Sequence, residues 1–188
     1  MIWNMFSQTT TAAMVNLVWG GGLLNRIYIP RAAFAISAIG TGLVNCLLNL
    51  VPLLVVMLAL GVPWRPSILL FPIPLLLVSM FSLGIGLILS TLAVYFPDVA
   101  EMYQIILTGW MYITPIIYPE SALPKTYAYL ITHLNPMYYF VRLFRILFYD
   151  GRFPKWVELW PTVIIAVVVL FVGWVVFTRK SDEFAYRI

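Results

Sequence analysis

The stretch ILLFPIPLLLVSMFSLGIGLILSTLAVYF, residues 68–96, carries no Asp, Glu, Lys or Arg. A helix needs about 20 apolar residues to cross roughly 30 Å of hydrocarbon, so this stretch is long enough to span a bilayer. Pro72 and Pro74 sit in its first turns, where a missing backbone N–H costs nothing. Ser79, Ser82, Gly84, Gly86 and Ser90 follow along it. Small side chains at such spacings let a second helix approach closely, which predicts an interior position in a helix bundle.

The same pattern recurs on both sides. Charge-free runs cover 1–25, 32–64, 102–119 and 159–178 as well. Hydrophobic residues make up 63% of the 188 and charged residues only 10%, with a mean hydropathy of +0.97. A soluble domain carries roughly 25% charge. The prediction is an all-α, polytopic transmembrane helical bundle forming a single domain. Its segments are a partial or complete span at 1–19, a link at 20–31, spans at 32–60, 68–96, 102–118 and 158–178, and a tail at 179–188. Residues 119–157 differ in kind. Pro, Asn and charged residues divide them into two apolar pieces, 126–134 and 137–149, each too short to cross, so re-entrant or interface-lying helices are expected before the last span.

These features exclude secreted, ordinary cytosolic and nucleic-acid-binding classes. The net charge of +4 comes from dispersed basic residues that form no groove for a phosphate backbone. The single cysteine, Cys46, lies in an apolar run, where a small buried side chain is the plain reading. No GxxxxGK loop, dinucleotide fingerprint or catalytic triad pattern occurs. No cofactor is therefore expected on this chain, no metal site and no catalytic residue. Lone His133 reads as a helix-end residue. Basic residues divide five against six between the two sets of loops, so the positive-inside rule sets no orientation.

Several positions have two readings. Asn45 and Asn49, one turn apart, are either helix–helix glue or the lining of a passage. Tyr103, Trp110, Tyr112 and Tyr118 are either interfacial anchors and packing or a stacking surface for sugar rings along a substrate path. Arg142 and Arg145, three residues apart in an aromatic-rich piece, either snorkel to the interface or form a gate or headgroup contact with phosphate or an anionic sugar. Tyr28 and the flanking Arg26 and Arg31 suit a membrane interface, and Pro30 can restart a helix.

Ordered fragments add to this. Leu24–Asn25–Arg26–Ile27–Tyr28–Ile29–Pro30–Arg31, Phe81–Ser82–Leu83–Gly84–Ile85–Gly86–Leu87, Tyr95–Phe96–Pro97–Asp98–Val99, Thr114–Pro115–Ile116–Ile117–Tyr118–Pro119 and Leu134–Asn135–Pro136–Met137, with Arg142 and Arg145 beyond, occur in this order over essentially the whole chain. Together they resemble the membrane subunits of type-2 ABC exporters, the branch that exports O-antigen, teichoic acid and capsular polysaccharide. The resemblance implies a permease subunit, not an enzyme, in the cytoplasmic (inner) membrane. It implies a homodimer working with two copies of a separate ATP-binding subunit that carries ATP and Mg, on a lipid-linked glycan and with no nucleic acid. It further implies that Asn25, Arg26, Tyr28, Pro30 and Arg31 form a coupling element against that motor. Asn135, Pro136, Arg142 and Arg145 would belong to an extracytoplasmic gate region at 119–157. Members of the family begin with an amphipathic helix and a first span that are not seen here, so an N-terminally truncated chain is expected. A drug or small-lipid exporter of the same superfamily, or an inactive membrane scaffold or fragment, are the alternative functions.

Overall fold

The computed structural model describes residues 1–19, 32–61, 65–118 and 125–180. All regular structure in them is helical. The helices are α1 (Ile2–Trp19), α2 (Ala32–Ala59), α3 (Pro72–Tyr95), α4 (Val99–Ile113), α5 (Lys125–Leu134), α6 (Pro136–Arg145) and α7 (Trp156–Lys180), with a short tight helix at Pro66–Leu70 leading into α3. The chain is an all-α polytopic membrane bundle.

Among the described residues three stretches are long and apolar enough to cross a membrane: Ile36–Ala59, Pro66–Tyr95 and Trp156–Lys180. The other two charge-free segments differ for separate physical reasons. α1 has 18 residues but carries polar side chains on two faces. α4 has 15, about 22 Å of rise, because Thr114 turns to extended backbone and Pro115 has no N–H with which to continue the helix.

The small residues of α3 place it at the centre, against α1, α2 and α7, with its most extensive contact to α7. Gly84 and Gly173 meet at that crossing. A Cβ on Gly84 would lie 2.6 Å from the carbonyl carbon of Val169, and one on Gly173 would lie 2.8 Å from the Cα of Gly84. The two backbones touch, which only glycine permits. Against α1, Ser90 donates to the carbonyl of Ala13 at 3.0 Å, and Gly86 leaves room for the Ala13 methyl. Lipid tails are as apolar as the core, so close packing and polar bonds of this kind hold membrane helices together.

Aromatic rings tie the remaining elements to α3. The ring centroids of Phe6 and Phe81 are 5.4 Å apart, Phe81 and Phe140 4.9 Å, and Phe6 and Trp110 5.4 Å, joining α1, α3, α6 and α4. At one end of the bundle the turn before α3 docks onto the end of α6. Ser67 donates to the Leu147 carbonyl at 3.0 Å, and the Arg65 guanidinium bonds the Asp150 carbonyl. α6 finishes in a wide turn over Ile146–Asp150, closed by Gly151 at φ 62°, a left-handed conformation that suits glycine.

The outward faces of α2 and α7 are apolar. Leu48, Val51, Val55, Val168 and Phe171 are all exposed and suit contact with lipid. Asn45 and Asn49 are exposed on α2 too, and neither amide bonds to another described residue.

Candidate functional site

α1 is two-faced. Phe6, Thr10, Ala13 and Met14 are buried in the bundle, while Ser7, Gln8, Thr11, Val15 and Asn16 form a stripe on the opposite side at helical spacing. The buried hydroxyls are satisfied locally. Thr10 donates to the carbonyl of Phe6 at 2.8 Å, and Thr9 bonds that of Met5. In the outer stripe Ser7 donates to the Asn4 carbonyl at 3.3 Å, whereas Gln8, Thr11 and Asn16 make no side-chain hydrogen bond among the described residues. With Gln104 and Thr108, one turn apart on α4, the stripe lines a groove that no charged side chain of the described residues enters, completed by Trp3, Leu107 and Met111. α1 is packed between two membrane-spanning helices, α2 and α3. The groove therefore presents amides and hydroxyls at membrane depth, where a polar group facing hydrocarbon is costly.

A second groove begins at the same tryptophan. Trp3 lines it together with Phe144, Phe148, Tyr118, Tyr149 and Arg145, among others. Trp3, itself buried, thus borders both the polar groove along α1 and α4 and an aromatic groove that holds one cationic side chain, Arg145. Amides and hydroxyls offer neutral hydrogen bonds to a polar cargo, and aromatic faces match the apolar faces of sugar rings.

The structure separates the aromatic residues singled out in the sequence. Tyr103 is buried, its hydroxyl 2.8 Å from that of Thr10. Trp110 is half-buried and donates its indole N–H to Oδ1 of Asn135 at 2.8 Å. Tyr112 is exposed. Tyr118 donates its hydroxyl to the Tyr112 and Ile113 carbonyls, at 3.0 and 3.1 Å, which caps the end of α4. Only Tyr118 reaches the aromatic groove.

Asn135 and Pro136 start α6. The Asn135 side-chain oxygen, Oδ1, accepts from Trp110 and from the Met137 N–H at 3.1 Å, and its side-chain amide donates to Thr114 Oγ1 at 2.8 Å. Pro136 occupies the first helical position, where its ring is preorganised. The Thr114–Pro115 and Asn135–Pro136 fragments thus lock onto each other, with Arg145 donating to the Pro115 carbonyl at 2.9 Å.

Arg142 and Arg145 share a helix face, yet their guanidinium groups part. Arg145 lines the aromatic groove, whereas Arg142 turns to Tyr138 and lies 3.7 Å from Glu158. Glu158 is bound chiefly by Arg152, through both carboxylate oxygens at 2.8 and 2.6 Å. His133 is exposed at the end of α5, stacked on Tyr129 with centroids 4.2 Å apart. Asn25, Arg26, Tyr28, Pro30 and Arg31 lie outside the described residues. Among the described residues no group of three or more His, Cys, Asp or Glu comes together.

Sequence reasoning missed Trp3, Gln8, Thr11, Gln104 and Thr108. The helical spacing of Ser7, Thr11 and Val15, and the four-residue step from Gln104 to Thr108, were the available signals.

The chain is similar in sequence to known proteins. Residues 1–149 match the family model described as ABC-2 type transporter. The O-antigen export system permease protein RfbA of Myxococcus xanthus is 29% identical over 187 residues, covering 99% of this chain and 72% of that one. A protein of the same name from Klebsiella pneumoniae is 23% identical over 186 residues, 97% of this chain and 70% of its own. The polysialic acid transport protein KpsM of Escherichia coli is 29% identical over 107 residues, 56% of this chain and 41% of its own. With the family model covering most of a helical membrane bundle, the chain belongs to the ABC-2 type transporter family of membrane permeases.

Proposed function

We propose that this chain is the transmembrane subunit of an ATP-driven exporter that moves a lipid-linked polysaccharide, of the O-antigen, teichoic acid or capsule type, across the cytoplasmic membrane. It works as a homodimer with two copies of a separate ATP-binding subunit, which carry ATP and Mg. Asn25, Arg26, Tyr28, Pro30 and Arg31 form the coupling element that receives the motor's displacement. The region 119–157 lies on the far side as a gate, held to the end of α4 through Asn135.

One observation carries this reading: the polar groove of α1 and α4 and the aromatic groove of Tyr118 and Arg145 share Trp3 as a common wall. Neutral hydrogen-bonding groups at membrane depth suit the hydroxyls of a sugar chain, and an aromatic mouth suits its ring faces. The names of the relatives point the same way. In this reading Tyr103 and Trp110 support the path from behind by holding α1 and α6, while Tyr112 and Tyr118 stand at its end.

The test is a double replacement, Gln8→Leu with Gln104→Leu, in cells that display the polymer. Both side chains are exposed in the groove, so protein abundance is expected to stay near normal. Surface polymer is expected to fall at least tenfold. Unchanged display at unchanged abundance would remove the groove from the path. Loss of efflux of an apolar drug with normal polymer display would transfer the reading to a drug exporter.

A further inference from the structure

Where α7 begins, an apolar slot opens between the start of α3, α6 and α7. Leu70, Ile73, Leu143, Leu147, Trp156 and Leu159 line it. Of its walls Trp156 is 72% exposed, and the neighbouring chain carries three more exposed aromatic side chains, Tyr149, Phe153 and Trp160. Tryptophan and tyrosine gather where headgroups meet hydrocarbon, so these side chains set the depth of the slot at that boundary.

The charges next to its walls in the chain do not balance. Arg65, Arg142, Arg152 and Lys155 accompany two carboxylates, Asp150 and Glu158. Arg152 takes both oxygens of Glu158 and lies 3.8 Å from Asp150. Arg142 is left with a loose 3.7 Å approach to Glu158 and a side chain 44% exposed. Lys155 contributes its backbone N–H to Glu158 at 2.9 Å, and its ammonium has no ion pair among the described residues. Each lies beside the slot in the chain: Arg142 precedes Leu143, and Lys155 precedes Trp156.

We propose that this slot is a binding site for an anionic phospholipid of the surrounding membrane, with an acyl chain between Ile73, Leu143 and Leu159 and the phosphodiester between Arg142 and Lys155. Glu158 and Arg152 act as the fixed frame that holds Arg142 beside the slot and leaves it under-neutralised. A phosphodiester supplies the missing negative charge, and the slot supplies apolar walls for the chain attached to it. The site lies apart from the α1–α4 groove and stands whatever cargo the exporter moves. Its occupant braces α6 against α7.

The experiment purifies the complete transporter with its motor in detergent, adds equimolar palmitoyl-oleoyl phosphatidylglycerol and phosphatidylcholine, and counts retained lipid by native mass spectrometry. Phosphatidylglycerol is expected to be retained preferentially. Arg142→Gln and Lys155→Gln are each expected to reduce that preference roughly fivefold, as befits a cation near a headgroup. Ile73→Trp, at an exposed lining position, fills the slot and is expected to reduce retention of both lipids. Arg179→Gln, at the far end of α7, should leave the preference unchanged. Equal retention of the two lipids by the unaltered protein would overturn the proposal. So would a preference that survives the Arg142→Gln, Lys155→Gln double variant, or one that Arg179→Gln lowers equally.

Discussion

Gly84→Leu is expected to abolish the native bundle, and Gly173→Leu to do the same. Overpacking a core side chain costs about 1–3 kcal/mol when neighbours can shift. Here the neighbour is backbone: the new Cβ alone would meet the Val169 carbonyl carbon at 2.6 Å and the Leu170 nitrogen at 2.7 Å. Relief requires α3 and α7 to move apart, and that crossing is the most extensive helix contact among the described residues. A cost of ~3 kcal/mol or more shifts the folding equilibrium by about two orders of magnitude. The check is the monodisperse fraction recovered after mild detergent extraction. Gly40→Ala is the control, since no heavy atom lies within 4 Å of a Cβ there. It should be neutral or stabilise by up to about 1 kcal/mol. Normal recovery of Gly84→Leu would mean that the two helices do not touch at this level.

Asn135→Leu is expected to have the second largest effect. The substitution removes the helix cap of α6, leaves the Trp110 indole N–H without its acceptor and takes the amide donor from Thr114. Loss of a cap costs about 1 kcal/mol and an unsatisfied buried donor about 1–3 kcal/mol, so roughly 2–4 kcal/mol is at stake. Much of that should vanish in a Trp110→Phe background, where no indole N–H remains to be satisfied. A double-mutant cycle read by thermal unfolding in detergent is expected to give a coupling of about 0.5–3 kcal/mol. Strict additivity would mean that α4 and α6 are not joined through this pair.

What the sequence reveals follows from how locally each feature is encoded. The long spans are plain because a charge-free run of 30 or so residues is too apolar to fold in water and long enough to cross a bilayer, and 66–97 and 32–64 are such runs. The Asn135–Pro136 pair marks a helix start through local backbone chemistry, whereas the span expected over 102–118 runs through Pro115, and the helix in fact stops at Ile113. The α1 stripe escapes a reading by average hydrophobicity. A window average merges its buried Phe6 and Met14 with its outer Gln8 and Thr11, and only the helical period separates them. That Gln104 faces the same groove depends on the α1–α4 packing, which no local pattern records.

Spacing also accounts for the aromatic residues. Tyr103 and Trp110 are seven residues apart and share a face, and that face is the core. Tyr112 is two residues further on, which turns it about 200° around the helix and outward. Residue type alone suggested one surface. For Arg142 and Arg145 a common helix face was legible, but their partners, Glu158 and the Pro115 carbonyl, belong to different elements.

The polar groove is the feature on which the transport reading stands, and thiol accessibility in intact cells tests it most directly. Starting from a Cys46→Ala background, single cysteines at Gln8, Gln104 and Thr108 would be compared with cysteines at Val55 and Phe171 on the lipid-facing surfaces. The reagent would be a charged maleimide that reacts only in water, applied while polymer synthesis is blocked. Rapid labelling at 8, 104 and 108, slowed when polymer synthesis resumes, with little labelling at 55 and 171, is the expected result. Labelling at 8, 104 and 108 as slow as at 55 and 171 would mean that the groove faces lipid or protein and carries no polar cargo.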